Sequence, residues 1–242
     1  MKEIYSWVPW FRELGKKIAE GGETYLIEKA NQMMWGSGKP RVLLYGDENI
    51  DPFSFFYSLA QKNTRYQREI VYNSVHNIFD ISAPLDTSID EYYVIPTPPP
   101  PALVLFHDGK NFDPNLLWRL FRQTVETVED DPKIDLNDFN NVLKITNVGV
   151  AKLTQTLFLI NPEYFLPMDD TTCQLSEALD LPVWSEIEKE IKDDGYEKYQ
   201  SRLKEFKRAF PECQPYEINM FLDRQKSERI TNSKIFQIDT II

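Results

Sequence analysis

Between Phe139 and Pro162 the chain carries no acidic residue, although 38 of its 242 residues are Asp or Glu against 27 Lys and Arg, for a net charge of −11. That window holds Lys144 and Lys152 among Asn147, Thr154 and other uncharged polar residues. An apolar helical pattern breaks at Asn147-Val148-Gly149 and restarts at once. Asn and Gly tolerate a left-handed backbone, so the break predicts a tight hairpin between two helices. The second helix then presents the amides of Gly149, Val150 and Ala151 at its positive end, and the hairpin amides from Val148 to Ala151 would grip backbone phosphate. Lys144 and Lys152 would supply charge there, and Lys152 and Thr154 could add side-chain contacts. Chance depletion of acids in a buried pair of helices is the plain alternative.

Other chemistry-bearing residues are sparser. Asp169, in Met168-Asp169-Asp170-Thr171, is a weak candidate for a catalytic carboxylate and equally a cap for a helix over Thr171–Leu179. Acids crowd between Glu126 and Asp138. Without an EF-hand glycine pattern, they read as a solvated turn rather than a metal site. Cys173 and Cys213, with His76 and His107, match no zinc spacing, so neither metal nor cofactor is expected. Lys198, Arg202, Lys204, Lys207 and Arg208 make the stretch Tyr196–Phe210 locally basic; it could contact phosphates, but with acids from Glu186 to Asp194 just upstream it reads first as a solvated helix face.

These residues need a scaffold, and the composition supplies one. Apolar residues are 42% and aromatics 13%, which excludes a wholly disordered chain. Two cysteines point to a reduced, cytoplasmic setting rather than a disulfide framework. No apolar run reaches the roughly 18–20 residues of a membrane span, and the N-terminus does not read as a signal peptide. The acidity repels nucleic acid over the general surface, so DNA binding requires a locally neutral or basic face.

The patterning predicts a mainly α, multi-helix protein with a few short strands. Trp7, Trp10, Phe11, Leu14 and Ile18 share one helix face. Gly21-Gly22 should end that helix, and Thr24–Met34 reads as the next. Asp51-Pro52 and Asp113-Pro114 are helix starts, with Asp capping and Pro in the first turn. Further helices are expected over Thr64–Phe79, Leu136–Thr146, Val150–Ile160, Val183–Asp193, Tyr196–Phe210 and Pro215–Lys226. Val42–Tyr45, Ala102–Phe106 and Ile235–Ile242 are strand candidates. Four regions follow: a helical part at 1–79, a Pro-rich connector and strand at 80–106, a helical part with the hairpin at 107–230, and at 231–242 the truncated start of a following module.

The hairpin Leu143 to Thr154 resembles the helix-hairpin-helix motif of DNA-binding domains, with Asn147 where the first glycine usually stands. In the DNA glycosylases that carry this motif, an aspartate follows the second glycine by about twenty positions, and Asp169 stands there. Their nucleophilic lysine would fall at Ala151, and Lys152 one position later is rotated by about 100°. Trp10-Phe11-Arg12-Glu13-Leu14, Asp51-Pro52-Phe53-Ser54-Phe55-Phe56, Leu116-Leu117-Trp118-Arg119-Leu120-Phe121 and Val148-Gly149 through Asp169 occur in an order similar to the N-terminal region of McrB-like AAA+ proteins of modification-dependent restriction systems. That resemblance implies a DNA-targeting module of a defence ATPase or GTPase, partnered by DNA and by other subunits, with motor and nuclease elsewhere. It implies a modified base flipped into a pocket near Asp169. The alternatives are a protein-interaction module without nucleic acid, or a monofunctional glycosylase using Asp169.

Overall fold

The computed structural model describes Tyr5 and residues 7–35, 50–60, 64–85, 106, 113–175 and 182–222. Helix predominates, as the patterning predicts: α1 (Trp7–Gln32), α2 (Pro52–Ala60), α3 (Arg65–Phe79), α4 (Pro114–Glu126), α5 (Leu136–Leu143), α6 (Val150–Ile160), α7 (Trp184–Asp194) and α8 (Tyr196–Ala209). Residues 215–222 are helical as well. No strand occurs among the described residues, where Val128 and Asp131 form one isolated bridge. The strand candidates at 42–45 and 235–242 lie outside them, as do residues 102–105 of the candidate Ala102–Phe106, whose Phe106 is a bend, and most of the Pro-rich stretch.

α2 is the centre of the core. All nine of its residues are buried, as an unbroken aromatic run starting at Asp51-Pro52 requires. Asp51 caps it, accepting from the Ser54 amide at 2.7 Å and from the Ser54 hydroxyl. α1, α3, α4 and α6 pack around this axis. Trp10 meets Tyr72, Phe11 meets Phe56, and Phe56 meets Phe121, at ring separations of 5.1, 6.1 and 5.9 Å. The helices before residue 80 and those after 113 thus share one apolar cluster. α1 is kinked at Gly22, where φ is 74°, at the break that Gly21-Gly22 predicts.

One buried cation ties three helices together. Arg12 of α1 donates to the carbonyls of Val125 at 3.2 Å and Ile160 at 3.3 Å, and to Glu163 at 3.2 Å. The C-terminal ends of α4 and α6, where carbonyls lack helical partners and the dipole is negative, therefore converge on a guanidinium. Asn161 adds to this junction, its amide donating to Thr124 O at 3.0 Å and Thr127 O at 2.9 Å. α6 is thereby anchored at its C-terminal end.

Three elements differ from the sequence expectation. α5 stops at Leu143 rather than Thr146, and residues 144–149 form the turn. Asp138 leaves the acidic loop for the first turn of α5, buried and held by Arg119 at 2.9 Å and Gln123 at 2.9 Å, so it is not part of a solvated turn. Asp135, exposed, caps α5 through the amides of Asn137 and Asp138. The segment expected as a helix from Thr171 is a 3-10 turn over Thr172–Leu175, and residues 176–181 lie outside the description. α7 and α8 join at Gly195, where φ is 69° and a Cβ would stand 2.0 Å from the Asn140 side chain, so the corner admits no larger residue.

Candidate functional site

The open end of α6 lies opposite its anchored end. Lys144 is the C-cap of α5, an exposed residue whose backbone remains helical. Ile145 and Thr146 follow, and Asn147 takes φ 68°, the left-handed conformation that asparagine accepts more readily than most residues. The Val148 amide closes the turn onto Ile145 O at 2.9 Å, and the Val148 side chain is buried. Of the amides chosen from sequence, Val148 is thus spent inside the turn, while Val150 and Ala151 head α6 without an intrahelical acceptor.

Gly149 is the N-cap of α6, and no side chain caps the helix. Its φ of −97° is ordinary for any residue, so the backbone does not demand glycine here. What glycine leaves is space: a Cβ built at this position has no heavy atom within 4 Å. The uncapped, positive end of α6 thus meets open room at the Gly149 Cβ position, where Gly149 and Ala151 reach the surface and Val150 is buried. Lys144 and Asn147 flank it, both exposed.

Lys152 and Thr154 point the other way. Lys152 is only 8% exposed. Its ammonium lies 4.6 Å from the Phe106 ring centroid and 5.5 Å from that of Tyr57, and donates to Asn147 O at 3.4 Å. Burial lowers the amine to a pKa of about 8, against the opposing charge of Asp51, which favours the proton. Tyr57 is pushed above its ordinary range by burial, and then by the Asp169 carboxylate. Thr154 is fully buried and donates to Val150 O at 2.8 Å while accepting from the Met168 amide at 2.9 Å. The rotation expected of Lys152 is therefore seen, and it carries the charge behind the turn.

Asp169 is buried, and both oxygens are occupied. Oδ1 accepts from the Thr172 amide and Oδ2 from Gln155 Nε2, each at 2.8 Å. It caps the 3-10 turn, the cap role that its position ahead of Thr171 allows. The same carboxylate and burial push the Cys173 thiol up, burial being the larger cause. The sequence brought Lys152 and Asp169 forward but not Asp51, Tyr57, Gln155 and Phe106, which surround the same region. A buried helix shows no periodicity that could have singled them out.

The aromatics beside α8 belong to the core. Phe165 and Tyr199 stack with their ring planes 9° apart, and Tyr164 is buried beside them. The basic stretch of α8 is largely paired with acids: Arg202 with Glu190 and Glu205, Lys198 with Glu190, and Lys207 with Glu129. Lys204 and Arg208 are exposed. A phosphate approaching α8 would meet these carboxylates too, which leaves the α6 terminus the stronger anion site.

A family model described as Domain of unknown function (DUF8425) matches residues 7–221. The chain belongs to this family. No curated protein and no solved structure matches it. The DUF8425 match spans α1 through α8, so the Arg12 junction and the α5–α6 turn both fall inside the domain. Among the described residues no helix is long and apolar enough to cross a membrane.

Proposed function

We propose that this DUF8425 domain is a DNA-recognition module, gripping backbone phosphate with the helix-hairpin-helix-like turn between α5 and α6. The observation that carries this is the uncapped N-terminus of α6, open in front of Gly149 and placed beside a left-handed Asn147. Gly149 and Ala151, the partly exposed residues of this terminus, would donate their amides to a phosphate oxygen, and Gly149 would let the backbone approach it. Lys144 is the lysine with a free path to the polyanion, and it stands in the acid-free window that separates this face from the acidic remainder.

Such a grip positions duplex without reading sequence. A targeting role within a modification-dependent restriction or defence assembly fits it, with base reading near Asp169 as the step that would discriminate modified DNA. The buried Asp169 would then act as a fixed acceptor rather than a catalyst, because its two oxygens already hold Gln155 and Thr172.

The test is binding to fluorescent duplexes, unmodified and carrying modified cytosine, across a salt series. Affinity should fall with salt, and Lys144→Met should reduce the slope by about one counterion's share. No binding at micromolar protein in low salt would end this reading.

A further inference from the structure

A lysine that serves phosphate keeps its ammonium in water and buries at most its stem. Lys152 buries both, and it sits three residues after the N-cap Gly149, where a cation opposes the helix macrodipole. Burying an ammonium is costly unless its partners compensate for lost hydration. Its partners include two ring faces, the Asp51 charge and the carbonyl of Asn147. That carbonyl belongs to the one residue of the α5–α6 turn with positive φ. An apolar side chain would fill the space between Phe106 and Tyr57 without the desolvation cost, but it would leave the Asn147 carbonyl and the Asp51 charge without this cation.

We propose that Lys152 is the positioning residue of the turn: its ammonium donates to the Asn147 carbonyl from behind and holds the left-handed residue that aims the α6 amides outward. It meets no phosphate itself, and this rests on reading the α5–α6 turn as the DNA grip. Two rings and one carbonyl fix the ammonium from α2, from residue 106 and from the turn, so the turn is referenced to the core and not to its own exposed side chains. The charge also adds to the positive potential that the α6 terminus presents.

Among the described residues, the titratable and charged groups that face the ammonium include Asp51, ahead of α2, and Tyr57 within α2, with Asp169 beyond Tyr57. Asp51 favours the protonated amine, and the Tyr57 phenol is pushed upward, away from the amine's range. Losing the Lys152 proton at a pH of about 8 should therefore loosen the hold on Asn147 within an accessible window.

The experiment pairs a titration with a binding series. In the free protein, carbon-detected NMR follows the Asn147 carbonyl and the Lys152 Cε from pH 6.5 to 9.5. Both should move with one midpoint near 8, and the Asn147 carbonyl should not titrate in Lys152→Met. On DNA, Lys152→Met should weaken duplex binding by about tenfold, the scale of one charge-assisted hydrogen bond, with the salt slope of the unsubstituted protein retained. A slope reduced by about one would make Lys152 a phosphate ligand and overturn the proposal. Unchanged affinity would overturn it too, as would an Asn147 carbonyl indifferent to Lys152. If the unsubstituted protein shows no salt-dependent DNA binding, the DNA reading fails while the carbonyl titration still decides whether Lys152 holds the turn. That titration needs only the unsubstituted chain, so a poorly folding variant does not block it.

Discussion

Gln155 and Asp169 meet beside the first turns of α6, the Gln155 amide donating to Asp169 Oδ2 at 2.8 Å. With Oδ1 taken by the Thr172 amide, the carboxylate joins α6 to the chain that follows it. A residue that sequence reasoning singles out for chemistry is thereby also a joint. Asp169→Ala leaves the buried Gln155 side chain and a backbone amide without their acceptor. Urea denaturation should show a loss of about 1–3 kcal/mol, whereas Asp169→Asn keeps one acceptor and loses less.

Arg12 is the larger joint. It closes the C-terminal ends of α4 and α6 on α1, through Val125 O and Ile160 O. Its partner Glu163 is mostly exposed, so the carbonyls are the part of the arrangement that burial makes costly to abandon. Arg12→Met should cost about 2–4 kcal/mol of folding stability by chemical denaturation, with lysine rescuing little because it cannot span both carbonyls with a planar fork.

Glu13 gives the acid limb of the stability curve. Burial alone would raise its carboxyl, but the Ser82 amide and hydroxyl, the Ala83 amide and Lys17 hold it down to about 2. The ordinary value is 4.5, so the folded state binds this proton less readily than the unfolded state. Its contribution is complete above that value and is lost as pH falls towards about 2. Glu13→Gln should flatten this part of a stability–pH profile measured by denaturant melts.

Lys152 gives a slope of the same sign at the alkaline end, because there burial penalises the charged form. Its folded value of about 8 lies below the ordinary 10.5, so between the two the unfolded state holds more protons. Stability should rise with pH across that window on this group's account, and the burial cost is complete below it. Denaturant melts from pH 7.5 to 10.5 should show a shallower rise in Lys152→Met.

Much of this scaffold was legible in the sequence because its signals are local. Val150–Ile160 is bounded by a glycine and by Asn161-Pro162, and the helix has those limits. Asp51-Pro52, Asp113-Pro114 and Gly21-Gly22 announce starts and a break within two residues, and each occurs where expected. Asn147 in a left-handed turn was readable from residue type alone. Distant partnerships were not. Arg12 finds its carbonyls 113 and 148 residues away, and nothing near it reports them. Asp138 looked like one more loop acid until Arg119, nineteen residues earlier, was seen to hold it. Lys152 faces inward because Phe106 and Tyr57 offer it ring faces, and neither is its neighbour in sequence.

Gly149→Asp separates grip from fold. The position has ordinary φ and open space, so the aspartate fits, and its carboxylate can cap the α6 amides that glycine leaves uncapped. Thermal stability should be unchanged or slightly higher, by a few tenths of a kcal/mol at about the scale separating Asp from Gly at an N-cap. The same carboxylate would occupy the phosphate's place.

The decisive measurement is therefore duplex affinity of the unsubstituted chain and of Gly149→Asp, side by side across a salt series. Salt-dependent binding by the first, and at least a tenfold weaker affinity in an equally stable Gly149→Asp protein, is the expected result. Equal affinity of the two proteins would show that DNA does not use the α6 terminus, and would contradict the proposal.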